Sequence, residues 1–264
     1  MTAADVARLL SAVSTQHVYA FFLVLARVSP LFVVAPVFSS SMLLPRVRSV
    51  LAVGIALGLT PLVDHGRTVP SGVLPLVGLM LENFLVGLAL AYSLACVFAA
   101  ISSAGVLADA FGGFSFGSQI DPINGNPGGS LTNLYTTVGL ATFLVIGGDA
   151  WTVRGLNATF SAVPITSSAP TRSLMAGAIS AFASMLVGAI EIAAPVMLAI
   201  LVTDIAFGML SKVVPQISVF SVGFTVKVGV SLLIVGVSLP FVGNWMSTEL
   251  YGAMGSVVQS MRAA

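Results

Sequence analysis

IAAPVMLAILVTDIAFGMLSKVVPQISVFSVGFTVKVGVSLLIVGVSLPFVGNW, residues Ile192 to Trp245, decides the class of fold. Its apolar runs are long enough to supply the roughly 20 residues that cross about 30 Å of hydrocarbon. Asp204, Lys212, Lys227, Pro195, Pro215 and Pro240 interrupt those runs. In lipid, each unsatisfied backbone group would cost several kcal/mol, and a charge at mid-bilayer roughly 2.5–3.5 kcal/mol on insertion scales. The interruptions therefore need protein or water around them. A component of a helical assembly enclosing a polar path fits this stretch better than a simple anchor.

The rest of the composition agrees. The 264 residues are 57% hydrophobic and 7% charged, against about 25% charged in an ordinary soluble domain. Mean hydropathy is +1.07, as in an integral membrane protein. A net charge of +1 supplies no basic field for nucleic acid. The single cysteine, Cys96, excludes an internal disulfide and reads as a packing residue in an apolar run. The N-terminus lacks a compact basic head followed by a short apolar core and a small-residue cleavage site, so its first apolar run is expected to be retained. Arg46, Arg48, Arg67, Arg154 and Arg172 are scattered too evenly to fix an orientation.

Apolar windows fall near 16–38, 47–63, 73–109, 131–150, 173–211 and 216–248. They predict an all-α membrane protein of about six to eight helices, some of them broken. Gly54 and Gly58 form a small-xxx-small face suited to close helix packing.

Residues 110–130, AFGGFSFGSQIDPINGNPGGS, hold six glycines, two prolines and three phenylalanines. Glycine costs a helix about 1 kcal/mol per residue and Asp-Pro and Asn-Pro initiate turns, so a non-helical loop is expected here. Phe111, Phe114 and Phe116 alternate with Gly112, Gly113 and Gly117, which places apolar side chains on a pliable backbone. Such a loop suits the sealing of a narrow passage. Spacing alone equally allows aromatics packed at a membrane interface. A second cluster of breakers, Lys212 to Lys227, predicts a bent or interrupted helix at Pro215, with Gly223 as a further weak point and Gln216 available to freed backbone groups.

Enzymatic motifs fail on context. Gly113-Phe114-Ser115-Phe116-Gly117 matches the nucleophile elbow G-x-S-x-G, which needs a preceding strand and a later histidine, yet His17 and His65 both lie upstream. No H-E-x-x-H, P-loop or dinucleotide fingerprint occurs, so no cofactor or catalytic centre is expected. Arg27, Glu82, Asp109, Asp149, Glu191, Asp204, Lys212 and Lys227 are candidates for an ion relay, the usual default for intramembrane charges. Asp109 and Asp149 sit beside expected turns, where helix-end solvation accounts for them. Arg27, embedded in FFLVLARVSPLF, needs a carboxylate or backbone carbonyls. A secondary transporter binding solute through Arg27, Glu82 and Asp204 is the alternative, although no inverted repeat is visible.

Four blocks resemble the FliR/SctT family of type III export-gate proteins over nearly the whole chain. The first is FLVLARVSPLFVVAPVFSSSMLLPRVRSVLAVGIALGLTP, with Arg27, Pro36, Pro45, Arg46, Arg48 and Pro61 at family-typical places. LVGLALAYSLACVFAAISSAGVLADAFGGFSFGSQIDP resembles the family's small-residue helix entering a Gly-Phe loop that ends in Asp-Pro. FLVIGGDAWTVRGLNATFSAVP follows. The most specific block is PVMLAILVTDIAFGMLSKVVPQISVFSVGFTVKVGVSLL, through Pro195, Asp204, Gly208, Pro215, Gln216, Phe220, Gly223 and Lys227. Ser218 departs from a usual asparagine and Asp149 from a usual Gly-His pair.

The resemblance implies a non-enzymatic subunit of the bacterial inner membrane and flagellar basal body. Its partners would be FliP-like, FliQ-like, FlhB-like and FlhA-like subunits, membrane lipid and unfolded export substrates. It also implies a FliP-like region, residues 1–130, followed by residues 131–264 with a FliQ-like hairpin at about 190–250. Phe111, Gly112, Gly113, Phe114, Phe116 and Gly117 would belong to a pore plug. Arg27, Pro36, Gly54, Gly58, Asp204, Pro215, Gln216, Phe220, Gly223 and Lys227 would serve subunit packing. Segments that score as transmembrane could then sit partly above the bilayer, satisfied by protein.

Overall fold

A computed structural model describes residues 15–39, 44–63, 72–115, 129–213 and 219–262. Among them are seven α-helices and no strand: α1 (Thr15–Val34), α2 (Pro45–Val63), α3 (Val73–Gly112), α4 (Ser130–Val145), α5 (Gly148–Ala162), α6 (Thr171–Val213) and α7 (Val219–Arg262). The apolar windows foretold all but one of them. Five helices, α1, α2, α3, α6 and α7, are long and apolar enough to cross a membrane, or six spans if the broken pair α4 and α5 counts as one. The 40 residues of α3 and the 43 and 44 of α6 and α7 are about twice the roughly 20 that one crossing needs.

Local sequence explains the breaks. Pro30 inside α1 cannot donate to the carbonyl of Ala26, and the hydroxyl of Ser29 donates to that carbonyl instead, at 3.1 Å. The window expected at 131–150 divides after Val145. Gly147 adopts φ +69°, a conformation open mainly to glycine, and a Cβ at Gly148 would collide with the Phe143 ring. The chain then resumes as α5, a helix that the hydropathy windows missed. Its composition is mixed, but Thr152, Leu156, Thr159 and Phe160 are buried at helical spacing.

The chain divides into two compact units, and α3, α6 and α7 contribute to both. The first unit holds residues 1–95, 149–181 and 251–264. There α1 packs on α2, and Gly87 of α3 lies so close to the backbone of Arg27 that any side chain would strike its carbonyl. Gly155 of α5 likewise admits α7, since a Cβ there would stand 2.8 Å from Met254 Sδ. Small residues thus set the helix spacing, as expected where apolar area alone drives no association in lipid.

The second unit holds residues 96–148 and 182–250. Here α3 meets α4 through Gly105 against Thr132 and Gly139 against Ile101, with Phe98 and Phe143 in ring contact at 5.4 Å. Within the same unit, α6 and α7 run antiparallel: Trp245 covers Gly188 and donates to Glu191 at 3.2 Å, while Phe207 faces Gly223. Gly223, expected to weaken the helix, lies inside α7 without a break. Pro215 and Gln216 lie outside the described residues, between Val213, where α6 ends, and Val219, where α7 begins.

Candidate functional site

The helix that enters the Gly-Phe segment is longer than expected. Ala110, Phe111 and Gly112 continue α3, Gly113 and Phe114 form a turn and Ser115 is helical again, so the non-helical loop expected from residue 110 is confined, among the described residues, to that turn. Gly113 takes φ +81°, the left-handed conformation that closes many helices. Phe111 is 45% exposed on the last turn, and Phe114 folds back so that a methyl at Gly112 would stand 3.1 Å from its ring and 2.8 Å from Ser231 Oγ of α7. Phe116 and Gly117 lie outside the described residues.

Asp109 differs from the expectation of helix-end solvation. It is only 3% exposed, and its carboxylate accepts from the backbone N–H groups of Leu131 at 2.9 Å and Thr132 at 2.8 Å and from the Thr132 hydroxyl at 2.5 Å. The first free N–H groups of α4 are thereby capped by a side chain from α3, and the negative charge meets the positive end of the α4 dipole. A Cβ at Gly129 would overlap that carboxylate, which explains the glycine. The two ends of the Gly-Phe segment are therefore pinned together at its base.

Across the antiparallel pair in the same unit, Lys227 Nζ bonds Asp204 Oδ1 at 2.5 Å. By sequence, Asp204 and Lys227 stand only as separate charges, not paired with each other. The signal was the mirror position: Asp204 lies twelve residues before Gln216 and Lys227 eleven after it.

In the first unit Arg27 is fully buried, without a carboxylate partner among the described residues. Its Nε and Nη2 donate to Asn83 Oδ1 at 3.0 and 2.7 Å, and its Nη1 to the carbonyls of Thr159 and Val163 at 3.0 and 2.7 Å. Thr159 lies in the last turn of α5 and Val163 directly follows the helix, where the dipole favours a cation. The guanidinium also lies 4.5 Å from the centre of the Phe160 ring. Asn83 completes the set by donating to the carbonyls of Leu79 and Ile165 at 2.8 and 2.9 Å. Sequence reasoning passed over Asn83, because an isolated asparagine in an apolar helix carries no motif.

Pro36 lies in the turn after α1, beside the Phe32–Phe38 ring contact at 5.4 Å. Gly54 and Gly58 are exposed on α2, with no atom of the described residues near enough to meet an added Cβ, so among those residues nothing covers their face. Phe220 lies in the first turn of α7, its side chain outside the described set.

The model of the bacterial export proteins, family 1, matches residues 18–252, nearly every element described above. The chain belongs to that family. Among curated relatives of this export family, it is 28% identical to the flagellar biosynthetic protein FliR of Pectobacterium carotovorum subsp. carotovorum, covering 92% of this chain and 94% of the relative. It is 26% identical to FliR of Escherichia coli strain K12, covering 91% and 93%. Similarity extends to the surface presentation of antigens protein SpaR of Shigella sonnei, 29% identical over 83% of this chain and 85% of the relative.

Proposed function

We propose that this chain is a membrane-embedded, non-enzymatic component of a bacterial type III export apparatus. In the finer reading it forms part of the inner-membrane gate of a flagellar system, lining the conduit for unfolded substrates and helping to plug it. Membership of the export family supports the first statement. The observation that carries the second is the pinned base of the Gly-Phe segment. Asp109 fixes where the segment leaves α3 and where it rejoins α4. A glycine-rich chain tied at both ends keeps its phenylalanines near one place and still yields when a polypeptide pushes through. An apolar constriction of this kind excludes ions by dewetting.

The surroundings would come from FliP-like, FliQ-like and FlhB-like subunits, with an FlhA-like subunit on the cytoplasmic side. Residues 1–130 would act as the FliP-like region and about 190–250 as the FliQ-like hairpin. Exposed apolar side chains on both hairpin helices support this, among them Leu198, Leu201, Val202, Leu233 and Val237. Arg27 and Asp204, two anchors of the transporter alternative, are already engaged, one by Asn83 and carbonyls and the other by Lys227.

Deleting residues 112–117 and measuring ion leak across the cell membrane tests the plug. The expected result is a raised leak with export retained. A tight membrane after the deletion contradicts it.

A further inference from the structure

We propose that the open hollow walled by Arg154 and Arg262 in the first unit binds the phosphate headgroup of an anionic phospholipid. The hollow has a volume of about 710 Å³ and lies between one face of α5 and the last turns of α7. Trp151 and Arg154 project from α5 at helical spacing, and Tyr251, Met254 and Arg262 from α7. Trp151 and Tyr251 meet edge to face with ring centres 4.6 Å apart, and the Arg154 guanidinium lies 5.2 Å from the Trp151 ring centre. That contact holds Arg154 in place without neutralising it. Among the described residues neither Arg154 nor Arg262 has a carboxylate partner. One guanidinium from each helix lining the same hollow, neither with a carboxylate partner among the described residues, suits a phosphate, which accepts paired N–H donors from arginine.

The apolar remainder selects lipid over a free anion. Met254 and Val258 line the hollow, an apolar surface that an acyl chain covers and inorganic phosphate does not. Tryptophan and tyrosine beside arginines are the side chains that settle at headgroup depth, with the ring in the apolar layer and the polar edge toward water. Gly255 supplies the room: a Cβ there would meet no atom within 4 Å.

The test uses the assembled membrane complex in nanodiscs holding equal amounts of phosphatidylglycerol and phosphatidylcholine, with retained lipid read by native mass spectrometry. Phosphatidylglycerol should be retained preferentially. Arg154→Gln and Arg262→Gln should each lower that retention roughly five-fold, the size expected for one basic group near an anionic headgroup. Gly255→Phe adds a ring at a position that lines the hollow and where a Cβ meets no atom within 4 Å, and should lower retention with both arginines in place. Equal retention of the two lipids, or retention unchanged in these variants, overturns the proposal. So does displacement of phosphatidylglycerol by inorganic phosphate as readily as by added lipid. Loss of a protein subunit in the arginine variants, with the lipid still bound, would assign the hollow to a protein partner and overturn it as well.

Discussion

Arg27 and the Asp204–Lys227 pair are both charged positions in apolar helices, and the chain treats them in opposite ways. Arg27 is 0% exposed and satisfied wholly by neutral oxygens of its own unit. Asp204 and Lys227 neutralise each other yet remain 47% and 29% exposed. The first charge holds the fold of the single chain, tying α1, α3 and the end of α5 through one guanidinium. The second is presented outward on a hairpin whose apolar faces are open: 22% of the apolar window of α7 is buried, against 61% for α3. A polar group can be internal to the protomer or poised for what surrounds it, and sequence alone does not separate the two.

The comparison breaks first at Arg27. Arg27→Leu leaves the carbonyls of Thr159 and Val163 and the Asn83 amide oxygen without their donor, and each buried acceptor left unsatisfied costs about 1–3 kcal/mol. The expected outcome is loss of folded protein in membranes, read by protease resistance. Undiminished resistance would show that Arg27 is no keystone. Asp109→Ala comes next. It removes a cap and two further bonds, with an expected loss of roughly 2 kcal/mol in thermal stability and a raised ion leak in otherwise folded protein. Stability lost without any leak would separate the clamp from gating.

The smallest effect on the chain itself is expected at the hairpin pair. Asp204→Asn and Lys227→Gln, with their double variant, should give a coupling of at most about 1 kcal/mol in the stability of the purified chain, because half-exposed ion pairs contribute little. Their recovery with partner subunits should nevertheless fall. A large coupling in the isolated chain would make this pair internal, like Arg27, and erase the contrast.

Element positions were legible because apolar runs near 20 residues have few alternatives in lipid. The exceptions are instructive. The helix α5 escaped the hydropathy windows because its face is half polar, and only the spacing of Thr152, Leu156, Thr159 and Phe160 reveals it. Ala110 to Gly112 stayed helical although glycine is costly there, since Gly112 packs beneath Phe114 and beside Ser231. Asp109 looked like a solvated helix end because its partners Leu131 and Thr132 lie 22 and 23 residues further along the chain. Asn83 and the Asp204–Lys227 pairing are long-range facts that local pattern does not encode.

The central claim is that sister subunits cover the open apolar face of the hairpin. Val237, 74% exposed on α7, is the place to ask. A photo-crosslinking residue at position 237, activated in cells that make the whole apparatus, should yield discrete adducts with other membrane proteins of the export system. Adducts with lipid alone, from a chain that remains a stable monomer, would contradict the account.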